Sequence, residues 1–139
     1  MIDFDLHSQL EGDTVALVDW PLSRLLLMND RRFPWIVLVP RVVDASEIFD
    51  LSVGDRAALW HEVDGVASKL KTKTGALKIN IGALGNIVRQ LHIHVVARNA
   101  NDGAWPGPVW GSGTRVPYET ARLKTLTAEF AATLGAGPS

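Results

Sequence analysis

The sequence QLHIHVV, residues 90–96, alternates polar and apolar side chains until its last pair. This period of two is typical of a β-strand. In an extended strand Gln90, His92 and His94 point to one face, and the apolar residues between them point to the other. Two of the four histidines of the chain therefore share one strand face with an amide. Threonine, lysine or glutamate would serve a solvated strand as well, so the choice of imidazole requires an explanation.

Three interpretations of this face are open. The first is structural: both histidines lie on a strand surface that is solvated or hydrogen-bonded within the protein. The second is a metal site, because His-x-His on a strand suits zinc or iron. That site would need a third ligand, but Arg98 and Asn99 follow the strand and the chain has no cysteine. The third is phosphate chemistry, in which a neutral imidazole attacks phosphorus and its neighbours donate hydrogen bonds to the phosphoryl oxygens.

A glycine-containing loop precedes the histidine strand. It begins at Gly82, includes Gly85 and Asn86, and follows a predicted strand at residues 76–81 that carries Asn80 near its end. Glycine lets the backbone approach a phosphate closely and expose its N–H groups, although two glycines alone are a weak signal. The position of the loop directly before the histidines favours a phosphate-binding interpretation.

The first part of the chain predicts three strands. A short polar turn containing Asn29 and Asp30 joins the second and third strands into a hairpin, and both residue types favour turns for local reasons. Residues 1–13 are mixed and polar, and they predict an arm or a short irregular start. The three strands are predicted at residues 14–20, 22–28 and 35–39.

Two helices complete the predicted fold. Ser52 is a candidate N-cap of a long helix that Gly75 ends, and Pro117 suits the first turn of a second helix that Gly135 ends. Residues 90–98 form the fifth strand. Five short strands with mostly local connections and two helices predict an α+β domain with an antiparallel sheet.

Composition narrows the class of protein. A chain of 139 residues with 47% hydrophobic residues is expected to form one domain, residues 1–139, with its own core. A net charge of −1 does not indicate the positive charge that binding to nucleic acid or anionic lipid would require. The N-terminus lacks the apolar region of a signal peptide, and there is no cysteine. We therefore expect a soluble cytoplasmic protein without nucleic-acid or membrane partners.

The histidine strand resembles the signature of the histidine triad (HIT) family, His-φ-His-φ-His-φ-φ, where φ is hydrophobic and Gln90 occupies the first histidine position. Other segments match in the same order: LMND before WIVLVP, the NIG strand end and the Gly85-Asn86 loop. The resemblance covers roughly residues 15–98. The strings RRFPWIVLVPR and AWPGPVWG, together with the glutamine, resemble a bacterial HIT-like subgroup.

The resemblance implies a HIT fold, usually homodimeric, and nucleotidyl transfer or hydrolysis of dinucleoside polyphosphates or nucleoside phosphoramidates. His92 would be the nucleophile, with its other nitrogen held as N–H by a backbone carbonyl, and His94 would donate to a phosphoryl oxygen. Asp30 would hold the ribose. No tightly bound cofactor is expected, although Mg²⁺ could arrive with a polyphosphate. The other residues that the resemblance places in substrate binding are Asn29, Asn80, Gly85 and Asn86.

Two departures from the family pattern concern the catalytic site. Gln90 can donate a hydrogen bond but cannot carry a proton between groups. Ile36 stands where many members have a further histidine, which we expect near the first triad position. A non-catalytic nucleotide-binding module is therefore the alternative function. The enzyme is favoured because His92 and His94 are both retained.

Trp105 and Trp110 lie in an irregular segment rich in proline and glycine. They are either packing residues that pin the loop or a surface for a base or a partner. We favour packing, because indoles dominate packing wherever they occur.

Overall fold

The computed structural model describes residues 4–139. Its core is a five-stranded antiparallel sheet with the strand order β1-β2-β3-β5-β4. The α+β class predicted from the sequence is confirmed. The strands are β1 Thr14–Asp19, β2 Ser23–Met28, β3 Trp35–Pro40, β4 Lys78–Gly82 and β5 Ile93–Arg98; the helices are α1 Ser8–Asp13, α2 Val53–Thr74 and α3 Thr120–Leu134, with a short 3₁₀ turn at Ile48–Asp50.

The sheet is covered on both faces, which explains why every residue of β3 and β5 is buried. On one face, Leu38, Ile93 and Val95 belong to the same core cluster as α2 and α3. On the other face, Val37 and Val96 lie in a second cluster with Leu10 of α1 and Val109. Alternate residues of each strand therefore serve two separate cores, and the histidines face the second one.

Local sequence signals set the bounds of α2. The Ser52 hydroxyl accepts a hydrogen bond from the Asp55 N–H at 3.1 Å, as the N-cap prediction requires. Gly75 ends the helix with φ 67°, a left-handed conformation that glycine adopts without strain. Glu62, buried in the middle of the helix, accepts hydrogen bonds from the backbone N–H groups of Leu22 and Ser23. These bonds fix α2 against the turn between β1 and β2.

The structure corrects three of the predicted segments. The fifth strand begins at Ile93 rather than Gln90, because the Leu91 N–H bonds to the Ala45 carbonyl outside the sheet. The first residues are not irregular throughout, since α1 forms before β1. The predicted arm also includes residues 1–3, which lie outside the described residues. The second predicted helix begins at Thr120, three residues after Pro117.

The position of Ile36 also differs from the expectation. Ile36 is fully buried in the core cluster beneath α2, on the face opposite His92 and His94. In a strand, neighbouring residues point to opposite faces, so Trp35 rather than Ile36 reaches the histidines.

Among residues 4–139, no helix combines the length and the apolar character needed to cross a bilayer.

Candidate functional site

A cavity of about 390 Å³ opens over the second core, on the histidine side of the sheet. Segments that are distant in the chain form its walls: α1, the hairpin turn, the loop before β5, the histidines and the residues after Val109. Its lining includes the apolar residues Leu10, Met28 and Val109 together with polar groups that include His92 and His94. An apolar cavity with a few convergent polar groups is typical of a small-molecule site.

His92 precedes β5, with 6% of its surface exposed. Its Nδ1 lies 2.7 Å from the backbone carbonyl oxygen of Gln90. Because a carbonyl only accepts hydrogen bonds, Nδ1 carries the proton in this arrangement and Nε2 keeps its lone pair. This is the backbone hydrogen bond expected for a histidine nucleophile.

His94 is held in the opposite tautomer. The Trp35 indole Nε1–H donates to His94 Nδ1 at 3.0 Å, so the proton of a neutral His94 lies on Nε2. The two imidazole rings contact each other edge to face, with centroids 4.8 Å apart. The pair therefore places one nucleophilic lone pair beside one N–H donor.

Both imidazoles are neutral at neutral pH. Burial lowers the pKa of His92, and the nearby His7 lowers it further, although the hydrogen bond to Gln90 acts in the opposite direction. Burial, followed by the charge of His92, lowers the pKa of His94 to about 3. At neutral pH the pair therefore offers one lone pair and one donor, without a cation.

The loop before β5 reaches the cavity through Gly85 and Asn86. Gly85 has φ 68°, a conformation that few other residues adopt without strain. At the start of the loop, a Cβ on Gly82 would lie 2.9 Å from the Trp110 ring. Glycine there allows the indole to pack directly against the end of β4.

Asp30 also lines the cavity, but its carboxylate is engaged within the protein. It is 1% exposed and forms an ion pair with Arg32, with Nη2 2.7 Å from Oδ2. Burial alone would raise the pKa of Asp30, but hydrogen bonds from Arg32 and from the Val116 N–H lower it overall. The carboxylate is therefore ionised and fixes the Arg32 guanidinium, which lies on the cavity wall with it.

Three of the predicted site residues have other partners. The Asn29 amide oxygen accepts from the Tyr118 N–H, and the Asn80 amide oxygen accepts from Arg98. The Gln90 amide is bound by the backbone of Asp5 and His7. Thus His92, His94, Asp30, Gly85 and Asn86 meet at the cavity, whereas Asn29, Asn80 and the Gln90 amide support the segments around it.

No group of three or more histidine, cysteine or carboxylate side chains within residues 4–139 has the arrangement of a metal site.

The domain model described as "HIT domain" matches residues 9–101, about two thirds of the chain. The chain belongs to the HIT family. Members of this family generally bind nucleotides and act on them. The matched residues contain the hairpin, α2, β4 and the histidine strand. The α1 residues that line the cavity also lie within residues 9–101, whereas Trp110 lies outside this range.

Solved structures of HIT proteins resemble this chain over nearly its whole length. A histidine triad protein from Sinorhizobium meliloti 1021 is 49% identical with a TM-score of 0.88, and the match covers 95% of each chain. One from Marinobacter aquaeolei VT8 is 40% identical with a TM-score of 0.91, covering 94% of this chain and 96% of that one. One from Bradyrhizobium japonicum is 42% identical with a TM-score of 0.87, covering 94% and 95%. No match is found among the curated proteins.

The sequence does not predict the role of Trp35 in this HIT site, and for Trp110 it favours packing over a binding surface. Trp35 was assigned only to a strand, and nothing local indicates that its indole would bond to a histidine 59 residues away. Trp110 forms part of the cavity wall and contacts His94 edge to face, with centroids 5.7 Å apart. Trp105 instead lies over the Arg98 guanidinium. Packing is thus the observed role of Trp105, and Trp110 packs while facing the cavity.

Proposed function

We propose that this HIT protein transfers nucleotidyl groups to water or another acceptor through a covalent intermediate on His92. Its substrate would be a nucleoside polyphosphate, including dinucleoside polyphosphates, or a nucleoside phosphoramidate. The observation that carries the proposal is the pair of opposite tautomers. His92 presents a free Nε2 lone pair, and His94 presents an Nε2–H beside it.

In the first step, His92 Nε2 attacks phosphorus and forms a P–N bond. The bond from phosphorus to the leaving group breaks, and its electron pair goes to the leaving oxygen or nitrogen, which takes a proton from solvent. The His94 N–H donates to a phosphoryl oxygen as negative charge grows on it. In the second step water attacks phosphorus and loses a proton, the P–N bond breaks and the lone pair of His92 returns.

The cavity suggests how the nucleotide would lie. The base would pack on the apolar wall that includes Trp110, and the phosphate would lie near Gly85 and Asn86. The ribose would meet the ion pair of Asp30 and Arg32, so its hydroxyl groups would be recognised by both charges. A second cavity of about 290 Å³ also includes His92 and Gly85 and offers room for a leaving group. Mg²⁺ would enter with a polyphosphate, bound mainly by phosphate oxygens.

The test is turnover of a panel of dinucleoside polyphosphates and adenosine phosphoramidate. We expect His92→Ala to abolish turnover, because the free Nε2 lone pair of His92 is lost. His61→Ala is the matched control. His61 is exposed on α2, and it is distant in the sequence from the residues of the site. Turnover that survives His92→Ala would show that the nucleophile is wrongly assigned.

A non-catalytic nucleotide-binding module is the second candidate. It is supported by the amide of Gln90, whose oxygen and nitrogen are each bonded to the backbone of the chain itself. In this alternative, Gln90 in the first triad position marks the loss of catalysis, while the chain keeps the bacterial HIT-like subgroup that its sequence resembles. It predicts that AMP raises the melting temperature while no panel member is turned over. Slow hydrolysis that depends on His92 would exclude it.

We also propose a homodimer joined along β4. Strand β4 is an edge of the sheet, paired only with β5 in the described part of the chain. Ile81 on β4 and Leu77 just before it are 45% and 58% exposed. An exposed apolar edge strand is a favourable surface for pairing with a second copy.

A further inference from the structure

The amide of Gln90 binds the segment before α1, residues 4–7, which is called the N-terminal arm from here on. Its Oε1 accepts from the His7 N–H and its Nε2 donates to the Asp5 carbonyl, each at 2.8 Å. A side-chain amide that bonds to an N–H and a C=O two residues apart repeats the pairing that a neighbouring strand would make. Gln90 therefore fixes the path of the arm beside the histidines.

The same residue also fixes the nucleophile. The backbone carbonyl of Gln90 accepts from His92 Nδ1, so the arm and His92 are both bonded to Gln90. This geometry places His7 close to His92, and a positive charge on His7 is one cause of the lowered pKa of His92. Gln90 is thus bonded to two histidine residues, to the backbone of His7 and to the ring of His92.

The ring of His7 has a defined orientation. His7 is the N-cap of α1, and its Nδ1 accepts from the Gln9 N–H at 3.0 Å. A neutral His7 in this arrangement carries its proton on Nε2, as His94 does. His7 is exposed, and Gln9 and Leu10, which follow it in the chain, line the cavity.

We propose that His7 supplies the third imidazole of the site, donating a hydrogen bond to a phosphoryl oxygen, and that Gln90 is the positioning residue that holds it there. The inference rests on the proposed nucleotidyl transfer through His92. His7 precedes residue 9, where the family match begins, so this histidine comes from outside the matched HIT domain. In this chain an arm residue takes the place that the first triad histidine would have on the strand.

The first test is His7→Asn. Asparagine is a good N-cap, so the substitution keeps the start of α1 and removes only the imidazole. We expect kcat to fall at least tenfold, with KM changed less than threefold and the melting temperature unchanged. His61→Asn is the matched control and should retain wild-type kcat. If His7 only caps α1, His7→Asn will also retain wild-type kcat, and the proposal is then wrong.

The second test uses Gln90→Met, which keeps the side-chain length and removes both hydrogen bonds to the arm. We expect the same loss of kcat as in His7→Asn, and no further loss when the two changes are combined, because both remove the same contact. Losses that multiply in the double variant would mean that Gln90 does not act through His7.

A third measurement does not depend on turnover. The pKa of His92, followed by NMR in the free protein, should rise in His7→Asn because a neighbouring like charge has been removed. A His92 pKa that does not rise would overturn the placement of His7. If the wild type turns over no substrate, the proposed function fails, while this titration still decides whether His7 lies beside the nucleophile.

Discussion

At the scale of single residues, the chemistry of the site depends on which nitrogen of each imidazole carries the proton. His92 and His94 are two positions apart on one face, yet one bonds to an acceptor and the other to a donor. Burial keeps both rings uncharged at neutral pH, as the direction of both pKa shifts indicates. The pair therefore offers one free lone pair and one N–H donor on two neutral rings.

The pH dependence of kcat/KM tests the state of His92. The attacking lone pair is lost when Nε2 is protonated, so the rate should fall on the acid side. Because the pKa of His92 is lowered from 6.5, the acid inflection should lie below pH 6.5. His94, with a pKa of about 3, should not contribute near neutrality. An inflection at or above pH 6.5 would contradict the assignment.

His94→Asn tests the donor separately from the fold. The asparagine oxygen can accept from the Trp35 indole as Nδ1 does, but the variant loses the imidazole Nε2–H that is proposed to donate to a phosphoryl oxygen. Removing one such donor typically costs about 10²–10³ in rate. We therefore expect kcat to fall by that order while the melting temperature changes little. Loss of folding in circular dichroism, or unchanged kcat, would contradict this role.

At the scale of elements, the irregular segment between β5 and α3 is held by a buried ion pair. Arg98 at the end of β5 is 1% exposed and bonds to both carboxylate oxygens of Asp102. Asp102 in turn accepts from the N–H groups of Ala104 and Trp105, among others. These bonds give the proline- and glycine-rich segment a defined path, and that path brings Trp110 to the cavity.

Asp102→Asn should lower the free energy of unfolding by about 2–3 kcal/mol near pH 7, because the charged acceptor of several hydrogen bonds is lost. Hydrogen bonds from Arg98, opposed in part by burial, lower the pKa of Asp102 to about 2. The stability that the wild type gains from this carboxylate is present above its unfolded pKa near 3.8 and is lost as the pH falls towards 2.

Urea unfolding at several pH values measures this difference. The gap between wild type and Asp102→Asn should be constant from pH 8 to about pH 5 and should shrink below about pH 4. Asp64→Asn, at an exposed position of α2, is the matched control and should show little change. A gap that grows on acidification would show that the carboxylate is not the stabilising group.

At the scale of the whole molecule, the sheet has two different edges. Strand β1 is packed by α1 and α3 at its end of the sheet, whereas β4 carries exposed apolar residues at the other. The cavity lies on the histidine face between these edges, where α1, the loop before β5 and the segment after Val109 meet.

Ile81→Lys tests the proposed dimer. A charge on the β4 edge opposes pairing with a second copy, because two lysines would approach each other across the interface. Light scattering after size exclusion should give twice the 15.1 kDa chain mass for wild type and a single chain mass for the variant. Val43→Lys, exposed but outside β4, should remain dimeric. A monomeric wild type would exclude the dimer.

The sequence by itself determined the five strands, the two long helices and the face that carries the histidines. The alternation around His92 predicts the histidine face, and the signals at Ser52 and Gly75 predict the bounds of α2. These features depend on residues within one turn or one strand, so local stereochemistry and hydrophobic period are sufficient. They also predicted that His92, His94 and the Gly85 loop would lie close together, because these segments are adjacent in the chain.

Only the tertiary structure decided what those residues bond to. The proton of His94 is placed by Trp35, and Gln90 binds residues 83 and 85 positions away in the chain. The expectation for Ile36 was wrong because a shift of one residue in a strand reverses the face. Hydrogen-bond partners of this kind depend on which distant segments pack together, and that is set by the free energy of the whole core rather than by any local pattern.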